Sequence, residues 1–449
     1  QNRINGLKRR SGEWCRNEGE MGEEIVDYFQ QLFMTDGPTD FSAILEEIPQ
    51  SITADMNRKL TRPVSDQEIS HAVNSMHPNK APGPDGMSPI FFQKFWHIVK
   101  SDVISAVHSF FHSGHILKSI NETLISLIPK TDSPNLITEF RPISLCNVTY
   151  KIISKVLVNR FKTVLDCCIS SSQSAFVPGR QILDNVLVAH ESIHFLNNKR
   201  TGKDGYMAVK LDMSKAYDRV EWVFLAKMMQ KMGFCPAWIH WILECITSVS
   251  YSVNVNGEKR GFIKPARGLR QGDPLSPYLF LICAEGFSAL LRRANRQGRM
   301  SGMKIANAAP SLSHLFFADD SLIFCKAKVG EAVQLMQVLE EYGRASGQLI
   351  NKEKSSIFFS KNVKGRRKGE VLKELEGIRE VHQSKYLGLP MVIGRSKRQV
   401  FEFIRQKAIK RLGGWKEKLL SQAGKETLLK SVILALPAYV MSCGRLPKA

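Results

Sequence analysis

The sequence lacks several features that would mark a secreted, membrane-spanning or zinc-ribbon protein. No uninterrupted apolar run approaches the roughly 18 residues of a membrane span. The 9 cysteines never occur as Cys-x-x-Cys, and most of them fall in apolar segments that we expect to be buried. Internal repeats and low-complexity segments are missing, and no signal peptide precedes the polar stretch at residues 1–22. We therefore expect an intracellular protein with reduced thiols, no membrane association and no zinc ribbon.

The composition is that of a folded chain with an excess of positive charge. Apolar residues make up 43% and charged residues 23% of the 449 positions, which excludes a wholly disordered chain and predicts two to four domains. The formal net charge is +21, and residues 351–449 contribute most of it, with 23 basic against 8 acidic side chains. This stretch is either a solvated basic face or a surface that binds the phosphate backbone of a nucleic acid.

Three aspartates occupy places where the chain is predicted to end a strand or to turn. The run YMAVKLD predicts a strand that ends at Asp212. The run SHLFFADDSLIFCK at 313–326 predicts a β-hairpin with Asp319 and Asp320 at its tip. Because the apolar strands of this hairpin would be buried, its charged tip must face either solvent or a cleft.

Two neighbouring carboxylates at such a tip are either ordinary turn formers or ligands of a cation. At about 4 Å they repel each other by roughly 4 kcal/mol at an effective dielectric constant of about 20, and a divalent cation between them reverses that repulsion. Oxygen ligands with room for water suit Mg²⁺. The residues alone leave both alternatives open.

Other charged and polar residues lie beside predicted strands and loops. In PARGLRQGDPLSPYLFLICAEGFSALLRR, at 265–293, glycines allow close backbone approach and the apolar stripe predicts a buried helix. Gln271 in that loop is either part of a connector or a donor to a nucleotide. Lys130 and Arg141 are likewise either surface charges or cations for a triphosphate.

Three local predictions concern the course of the chain. Ser214 is expected to cap a helix that ends at Gly233. The run KYLGLPM at 385–391 predicts a turn with glycine at its bend. The apolar spacing that follows this turn predicts a small basic helical bundle.

In their order along the chain, these motifs resemble the reverse transcriptase of LINE-type (non-LTR) retrotransposons. The resemblance is carried by KLDMSKAYDRVEW, GLRQGDPLSPYLF, FADDSLIF, GQLINKEKSSIFFS and YLGLPM, and upstream by NKAPGPDG, FRPISLCNVTYKIISKVL and SQSAFVPGRQILDN. A further stretch, GKETLLKSVILALPAYVMS, resembles the thumb of the same family. The nine collinear motifs cover nearly the whole chain.

The resemblance implies an α+β right-hand polymerase whose palm is a ferredoxin-like antiparallel sheet backed by helices. It divides the chain into an N-terminal helical extension at 1–60, fingers at 61–205, a palm at 206–394 and a truncated helical thumb at 395–449.

The same resemblance assigns roles to individual residues. Asp212 and Asp319 would hold two Mg²⁺ ions, with Mn²⁺ as an alternative ion, while Asp320 assists and the carbonyl of Met213 completes the metal site. The implied nucleotide contacts are Lys130 and Arg141 at the triphosphate, Tyr217 as the steric gate against the ribonucleotide 2′-hydroxyl, Gln271 beside nucleotide and template, and Lys354 as the proton donor to pyrophosphate. Leu387 and Gly388 match the primer grip.

The implied function is RNA-directed DNA polymerisation within a non-LTR retrotransposon, by a two-Mg²⁺ mechanism that extends a primer 3′-hydroxyl with dNTPs. Its partners would be an RNA template, a DNA primer and dNTPs, and its site of action would be nuclear. One alternative is a catalytically inactive nucleic-acid-binding remnant of such an element. Another is an RNA-dependent RNA polymerase, which Tyr217 disfavours.

Overall fold

The structure, a computed structural model, describes residues 3–9, 11–38, 40–306, 308–392, 397–413 and 420–443. Its strands are β1 (Leu7–Lys8), β2 (Trp14–Cys15), β3 (Glu122–Pro129), β4 (Phe140–Cys146), β5 (Tyr206–Leu211), β6 (Ser250–Val255), β7 (Glu258–Ile263), β8 (His314–Phe317), β9 (Asp320–Lys326), β10 (Ser356–Phe359), β11 (Arg379–Glu380), β12 (Lys385–Tyr386) and β13 (Leu389–Pro390). Its helices are α1 (Glu18–Phe33), α2 (Ser42–Glu46), α3 (Ala54–Thr61), α4 (Asp66–Asn74), α5 (Pro89–Lys94), α6 (Trp96–Ser113), α7 (Val148–Phe161), α8 (Leu165–Cys168), α9 (Ile182–Asn198), α10 (Trp222–Met232), α11 (Pro236–Thr247), α12 (Ser276–Arg296), α13 (Val329–Ser346), α14 (Gly365–Glu374), α15 (Lys397–Gly413), α16 (Gln422–Leu428) and α17 (Ala438–Cys443).

A five-stranded sheet in the order β11-β10-β5-β9-β8 lies at the centre of the fold. Its neighbouring strands are antiparallel except for the short β10–β11 pair. Strand β5 is buried on both faces: Met207 and Val209 belong to the main core with α12 and α13, whereas Ala208 packs in a second cluster with α9. The combination of helices with a mostly antiparallel sheet confirms the predicted α+β class.

The register of this sheet brings two predicted motifs to one edge. Leu211, the last residue of β5, lies opposite Ser321 of β9. Strand β8 pairs with β9 as far as Phe317, which lies opposite Asp320. The predicted strand that ends at Asp212 and the predicted hairpin are both confirmed, and they end at the same edge of the sheet.

Helix α12 packs against the hairpin formed by β8 and β9. It is buried along most of its length, as the apolar stripe predicts. The ring of Phe287 on this helix stacks on Phe316 of β8 at 5.2 Å and on Tyr342 of α13 at 5.0 Å between ring centroids. Stacked aromatic contacts of this kind add to the burial of the rings and tie the hairpin to two helices.

A second sheet has four strands in the order β4-β3-β6-β7. Along the chain, β3 and β4 precede β5, and β6 and β7 follow it. Helix α1 begins at Glu18 because the side chain of Asn17 accepts hydrogen bonds from the first free N–H groups. Its buried face, with Ile25, Phe29 and Phe33, packs in one cluster with residues of β3, β6 and β7. The sheet therefore joins strands from the ranges predicted as fingers and as palm.

The predicted helix from Ser214 to Gly233 is wrong at its start. Lys215 has a φ of +55°, a left-handed conformation that interrupts a right-handed helix. A short 3₁₀ turn, Tyr217–Arg219, follows it, and α10 begins only at Trp222. The end of the helix is confirmed, because Gly233 adopts the left-handed conformation there.

The C-terminal part is helical where the structure describes it. Residues 395–396, 414–419 and 444–449 of the predicted thumb, and 393–394 of the predicted palm, lie outside the described residues. Residues 422–443 are long and apolar enough to cross a membrane by length and composition alone, and 6% of their most apolar window is buried. This differs from the expected lack of such a segment. The expectation counted uninterrupted apolar runs, and charged side chains such as Lys430 interrupt this one.

Candidate active site

Asp212 follows the last residue of β5 and is held by a neighbouring backbone segment. Its N–H donates to Ser355 Oγ at 3.1 Å, and its carbonyl accepts from the Asn351 N–H at 2.8 Å. Two residues later, the Ser214 N–H donates to the Leu349 carbonyl at 2.8 Å. Because the main chain is fixed on both sides, the half-buried carboxylate starts from a rigid position at the edge of the sheet.

Asp319 lies in the two-residue turn between β8 and β9. The preceding residue, Ala318, has a φ of +54°, which is typical of a tight hairpin turn. The buried side chain of Gln173 holds this turn: its Oε1 accepts from the Ala318 N–H at 3.0 Å, and its Nε2 donates to the Ala318 carbonyl at 3.3 Å. A residue distant in sequence therefore fixes the backbone of the turn that carries Asp319 and Asp320.

The two carboxylates at the hairpin tip are harder to ionise than isolated ones. Loss of surrounding water raises the pKa of Asp319, and the negative charge of Asp212 raises it further. The pKa of Asp320 is raised by loss of water and then by the charges of Asp319 and Asp212. A cation bound between these groups would relieve that repulsion. Within the described residues, no three Asp, Glu, His or Cys side chains are gathered closely enough to form a metal site by themselves.

The main chain at Met213 offers a further oxygen. Met213 lies opposite Ile350 in an isolated antiparallel bridge, whose hydrogen bonds are made by Asp212 and Ser214 on either side. The carbonyl of Met213 therefore takes no part in the hydrogen bonds of this bridge. Met213 also lines a cavity beside the hairpin tip. The donors available to a cation are carboxylates and a carbonyl, which are the hard oxygen ligands that Mg²⁺ prefers.

A cavity of about 350 Å³ opens beside the hairpin tip. Six of the predicted site residues line it: Lys130, Arg141, Met213, Tyr217, Gln271 and Asp319. The lining is completed by Pro142, Lys215, Ala216, Arg270, Gly272 and Pro277. Most of its charged side chains are cations, so the cavity favours an anionic ligand.

Crowded positive charge is the main electrostatic feature of this cavity. Burial lowers the pKa of Lys130, and the charges of Lys215, Lys354 and Arg141 lower it further. Burial lowers the pKa of Lys215 as well. The Lys130 ammonium donates to the Thr138 carbonyl at 2.9 Å. Like charges held together in this way favour a polyanion such as a triphosphate.

Tyr217 forms one wall of the cavity. Its ring stacks on Phe280 of α12, with centroids 5.0 Å apart and planes 14° apart. Burial raises the pKa of Tyr217, and the charge of Asp319 raises it further, so the phenol stays neutral beside that carboxylate. The Tyr217 carbonyl accepts from the Leu269 N–H at 2.8 Å, which joins this wall to the loop that carries Gln271.

The predicted primer-grip residues do not line the cavity. Leu387 and Gly388 form the turn between β12 and β13, with φ of +48° and +82°, and the predicted turn is confirmed. The Leu387 carbonyl accepts from the Tyr439 hydroxyl at 2.9 Å. The Lys210 ammonium of β5 donates to the Lys385 carbonyl at 2.6 Å. The turn therefore connects the central sheet with α17.

Sequence reasoning missed three residues of this site: Gln173, Lys215 and Asp218. Each lies in a quoted motif, but a polar residue in a loop gives no indication of which distant segment it contacts. Asp218 is buried, and burial raises its pKa to about 6, against the opposing effects of Lys215 and of a hydrogen bond from Gln271.

Residues 128–391 match the family described as reverse transcriptase (RNA-dependent DNA polymerase). The matched range is more than half of the chain, and it contains the carboxylates, the cavity lining and the β12–β13 turn.

Curated proteins similar to this chain include three from transposable elements. The Transposon TX1 uncharacterized 149 kDa protein of Xenopus laevis is 29% identical over 421 residues, 93% of this chain and 31% of that protein. The Retrovirus-related Pol polyprotein from type-2 retrotransposable element R2DM of Drosophila melanogaster is 24% identical over 384 residues, which cover 82% of this chain and 33% of that protein. The RNA-directed DNA polymerase from mobile element jockey of the same species is 23% identical over 293 residues, which cover 62% of this chain and 30% of that protein. This chain spans about a third of the length of these relatives.

Proposed function

Because the chain belongs to the reverse transcriptase (RNA-dependent DNA polymerase) family, we propose that it is the RNA-directed DNA polymerase of a non-LTR retrotransposon. In this function it extends the 3′-hydroxyl of a DNA primer with dNTPs along an RNA template. The proposed site of action is the nucleus.

The observation that carries this proposal is the cavity between the hairpin tip and a group of cations. Asp319 lines it on one side, and Lys130, Arg141 and Lys215 line it elsewhere. A substrate that fits must carry several negative charges. It must also bind beside the Asp319 carboxylate, which requires a cation between the two to offset their repulsion. A nucleoside triphosphate with divalent metal meets both requirements.

We assign two Mg²⁺ ions, with Mn²⁺ as an alternative, to Asp212, Asp319 and the Met213 carbonyl, with Asp320 beside them. When bound, such ions lower the pKa of an attacking hydroxyl and neutralise the triphosphate and the leaving pyrophosphate. The contribution of the chain is to hold these oxygens in place. The backbone hydrogen bonds at Asp212 and those between Gln173 and Ala318, the residue before Asp319, serve that purpose.

The remaining predicted residues act on the nucleotide and the primer. We assign Lys130 and Arg141 to the triphosphate and Lys354 to proton donation toward pyrophosphate. The ring of Tyr217, held by its stack on Phe280, excludes the 2′-hydroxyl of a ribonucleotide. Gln271 lies against the nucleotide, while Leu387 and Gly388 grip the primer.

We further propose that the helices and sheets form the right hand of a polymerase. The ferredoxin-like palm is the five-stranded sheet with α12 and α13, and the exposed C-terminal helices α15, α16 and α17 belong to the thumb. In chain order the proposed parts are the N-terminal extension at 1–60, the fingers at 61–205, the palm at 206–394 and the thumb at 395–449.

The test is primer extension by the purified chain on an oligo(dT)-primed RNA template with dNTPs and Mg²⁺. We expect the primer to lengthen with dNTPs, to stay unextended with ribonucleotides, and to stay unextended when EDTA removes the metal. Template binding is measured in parallel by fluorescence anisotropy of the labelled primer–template.

Two outcomes contradict the proposal. Template binding without any extension would identify a catalytically inactive nucleic-acid-binding remnant. Extension with ribonucleotides in preference to dNTPs would identify an RNA polymerase that shares the same sheet.

A further inference from the structure

Asp218 is a buried carboxylate behind the cavity, and the proposed function gives it no role. It is 3% exposed. The Nε2 of Gln271 lies 3.3 Å from each of its two carboxylate oxygens. Gln271 lines the cavity and Asp218 does not, so this amide is the hydrogen-bonding link between Asp218 and the cavity.

The backbone beside Asp218 is joined to the loop that carries the amide. The Gly268 N–H donates to the Val220 carbonyl at 2.8 Å, and the Leu269 N–H donates to the Tyr217 carbonyl at 2.8 Å. A Cβ at Gly268 would lie 2.7 Å from the Asp218 carbonyl oxygen, so this approach requires glycine. These main-chain contacts hold the loop without help from the Asp218 side chain, so a substitution of that side chain is expected to leave the loop in place.

The chemistry of a carboxylate restricts how it pairs with an amide. An ionised carboxylate only accepts hydrogen bonds, so it pairs with the nitrogen of the Gln271 amide and repels its oxygen. Asp218 therefore selects one of the two orientations of an amide that otherwise differ by a simple flip. The charges of Lys215, Lys130 and Arg219 oppose the effect of burial on the pKa of Asp218, which stands at about 6, so the carboxylate is largely ionised at neutral pH.

We propose that Asp218 is a positioning residue that fixes the Gln271 amide with its nitrogen turned inward, leaving the amide oxygen to accept a hydrogen bond from a bound nucleotide. This inference rests on the proposed function, which supplies the nucleotide. Its effect is on nucleotide affinity, because Asp218 touches none of the oxygens assigned to the metal ions.

Steady-state primer extension with four variants tests this role: D218N, D218A, Q271A and the double variant D218A/Q271A. Asparagine keeps the shape of aspartate, but its amide pairs with either atom of the Gln271 amide and no longer selects one orientation. We expect D218N and D218A each to raise the KM for dNTP roughly tenfold, the effect of one hydrogen bond to a charged group. We expect kcat to change by less than about twofold.

The double variant shows whether Asp218 affects nucleotide binding through Gln271 or independently of it. If Asp218 acts through Gln271, D218A/Q271A has the same KM as Q271A alone, because the two substitutions remove one contact. Effects that multiply in the double variant would overturn the proposal. A wild-type KM in D218N, or a loss confined to kcat, would overturn it as well.

The matched control is E285Q, which neutralises another buried carboxylate. Glu285 is 5% exposed, accepts from the Ser170 N–H and from Arg292, and is not among the residues that line the cavity. We expect E285Q to leave the KM for dNTP unchanged. The thermal midpoint of each variant is measured beside its kinetics, and D218N is expected to unfold within a few degrees of the wild type.

Equilibrium binding distinguishes failure of this inference from failure of the proposed function. The probe is a dNTP titrated into the complex of the full chain with an RNA template and a dideoxy-terminated DNA primer. A wild-type chain that binds the dNTP in this complex but never extends a primer with a free 3′-hydroxyl, and whose affinity for the dNTP falls in D218N, would refute the proposed function and uphold the role of Asp218. Equal Kd values for wild type and D218N would refute the role of Asp218 alone, and no binding by the wild type would refute both.

Discussion

Replacement of Asp319 by asparagine is expected to reduce nucleotide incorporation by roughly 10³-fold or more. The substitution keeps the size of the side chain but removes the negative charge at the hairpin tip. A divalent ion bound there, as proposed, would contribute several kcal/mol to the transition state of phosphoryl transfer, and about 4 kcal/mol corresponds to 10³ in rate. The measurement is single-turnover extension of a labelled primer on an RNA template, with template affinity measured on the same preparations.

The control for this substitution is Asp204→Asn, at the opposite end of the same sheet. Asp204 pairs with Lys326 at 3.0 Å and lies before β5, whereas Asp212 follows it. We expect Asp204→Asn to extend primers at the wild-type rate. Wild-type extension by Asp319→Asn would remove that carboxylate from the mechanism, and equal losses in both variants would indicate damage to the sheet.

Replacement of Asp273 by alanine is expected to destabilise the fold by about 3–5 kcal/mol, the usual effect of leaving a buried charge without its partner. Asp273 pairs with Arg270 at 3.1 Å, and both side chains are almost fully buried. Its carboxylate also accepts from the hydroxyls of Tyr150 and Ser154, each at 2.6 Å. Without it, the Arg270 guanidinium stays buried over the Tyr150 ring. Urea unfolding followed by circular dichroism measures the loss.

Two further substitutions serve as controls for Asp273→Ala. The exposed ion pair between Arg366 and Glu370 is a matched control, and Glu370→Ala is expected to change stability by less than about 0.5 kcal/mol. Replacing both buried partners, as in Arg270→Met with Asp273→Leu, is expected to cost less than Asp273→Ala alone, because no charge is left unpaired. A small loss in Asp273→Ala would mean that the guanidinium reaches water.

The local elements of the site could be predicted from the sequence because neighbouring residues specify them. Alternating apolar residues and a polar tip define the hairpin of Asp319, and the apolar run before Asp212 defines β5. The family resemblance added what no local pattern contains. It assigned Lys130, Arg141 and Gln271 to one nucleotide site, and these residues, which lie in three separate segments, line one cavity.

Contacts between distant segments could not be predicted in this way. Gln173 reaches the hairpin tip from 145 positions away, and Asp218 meets Gln271 across 53 positions. The Ser214 capping pattern failed for a related reason. Its local helix preference is overridden by the left-handed turn at Lys215, where the chain leaves the sheet edge.

The most direct test of the account is the number of Mn²⁺ ions bound by the chain in complex with an RNA template, a dideoxy-terminated DNA primer and the matching dNTP. Electron paramagnetic resonance of free Mn²⁺ gives this number after subtraction of binding to the nucleic acid and dNTP alone. Convergence of Asp212 and Asp319 on one site predicts two ions for the wild type and the loss of at least one in Asp212→Asn with Asp319→Asn. Equal Mn²⁺ binding by the wild type and this double variant would contradict it.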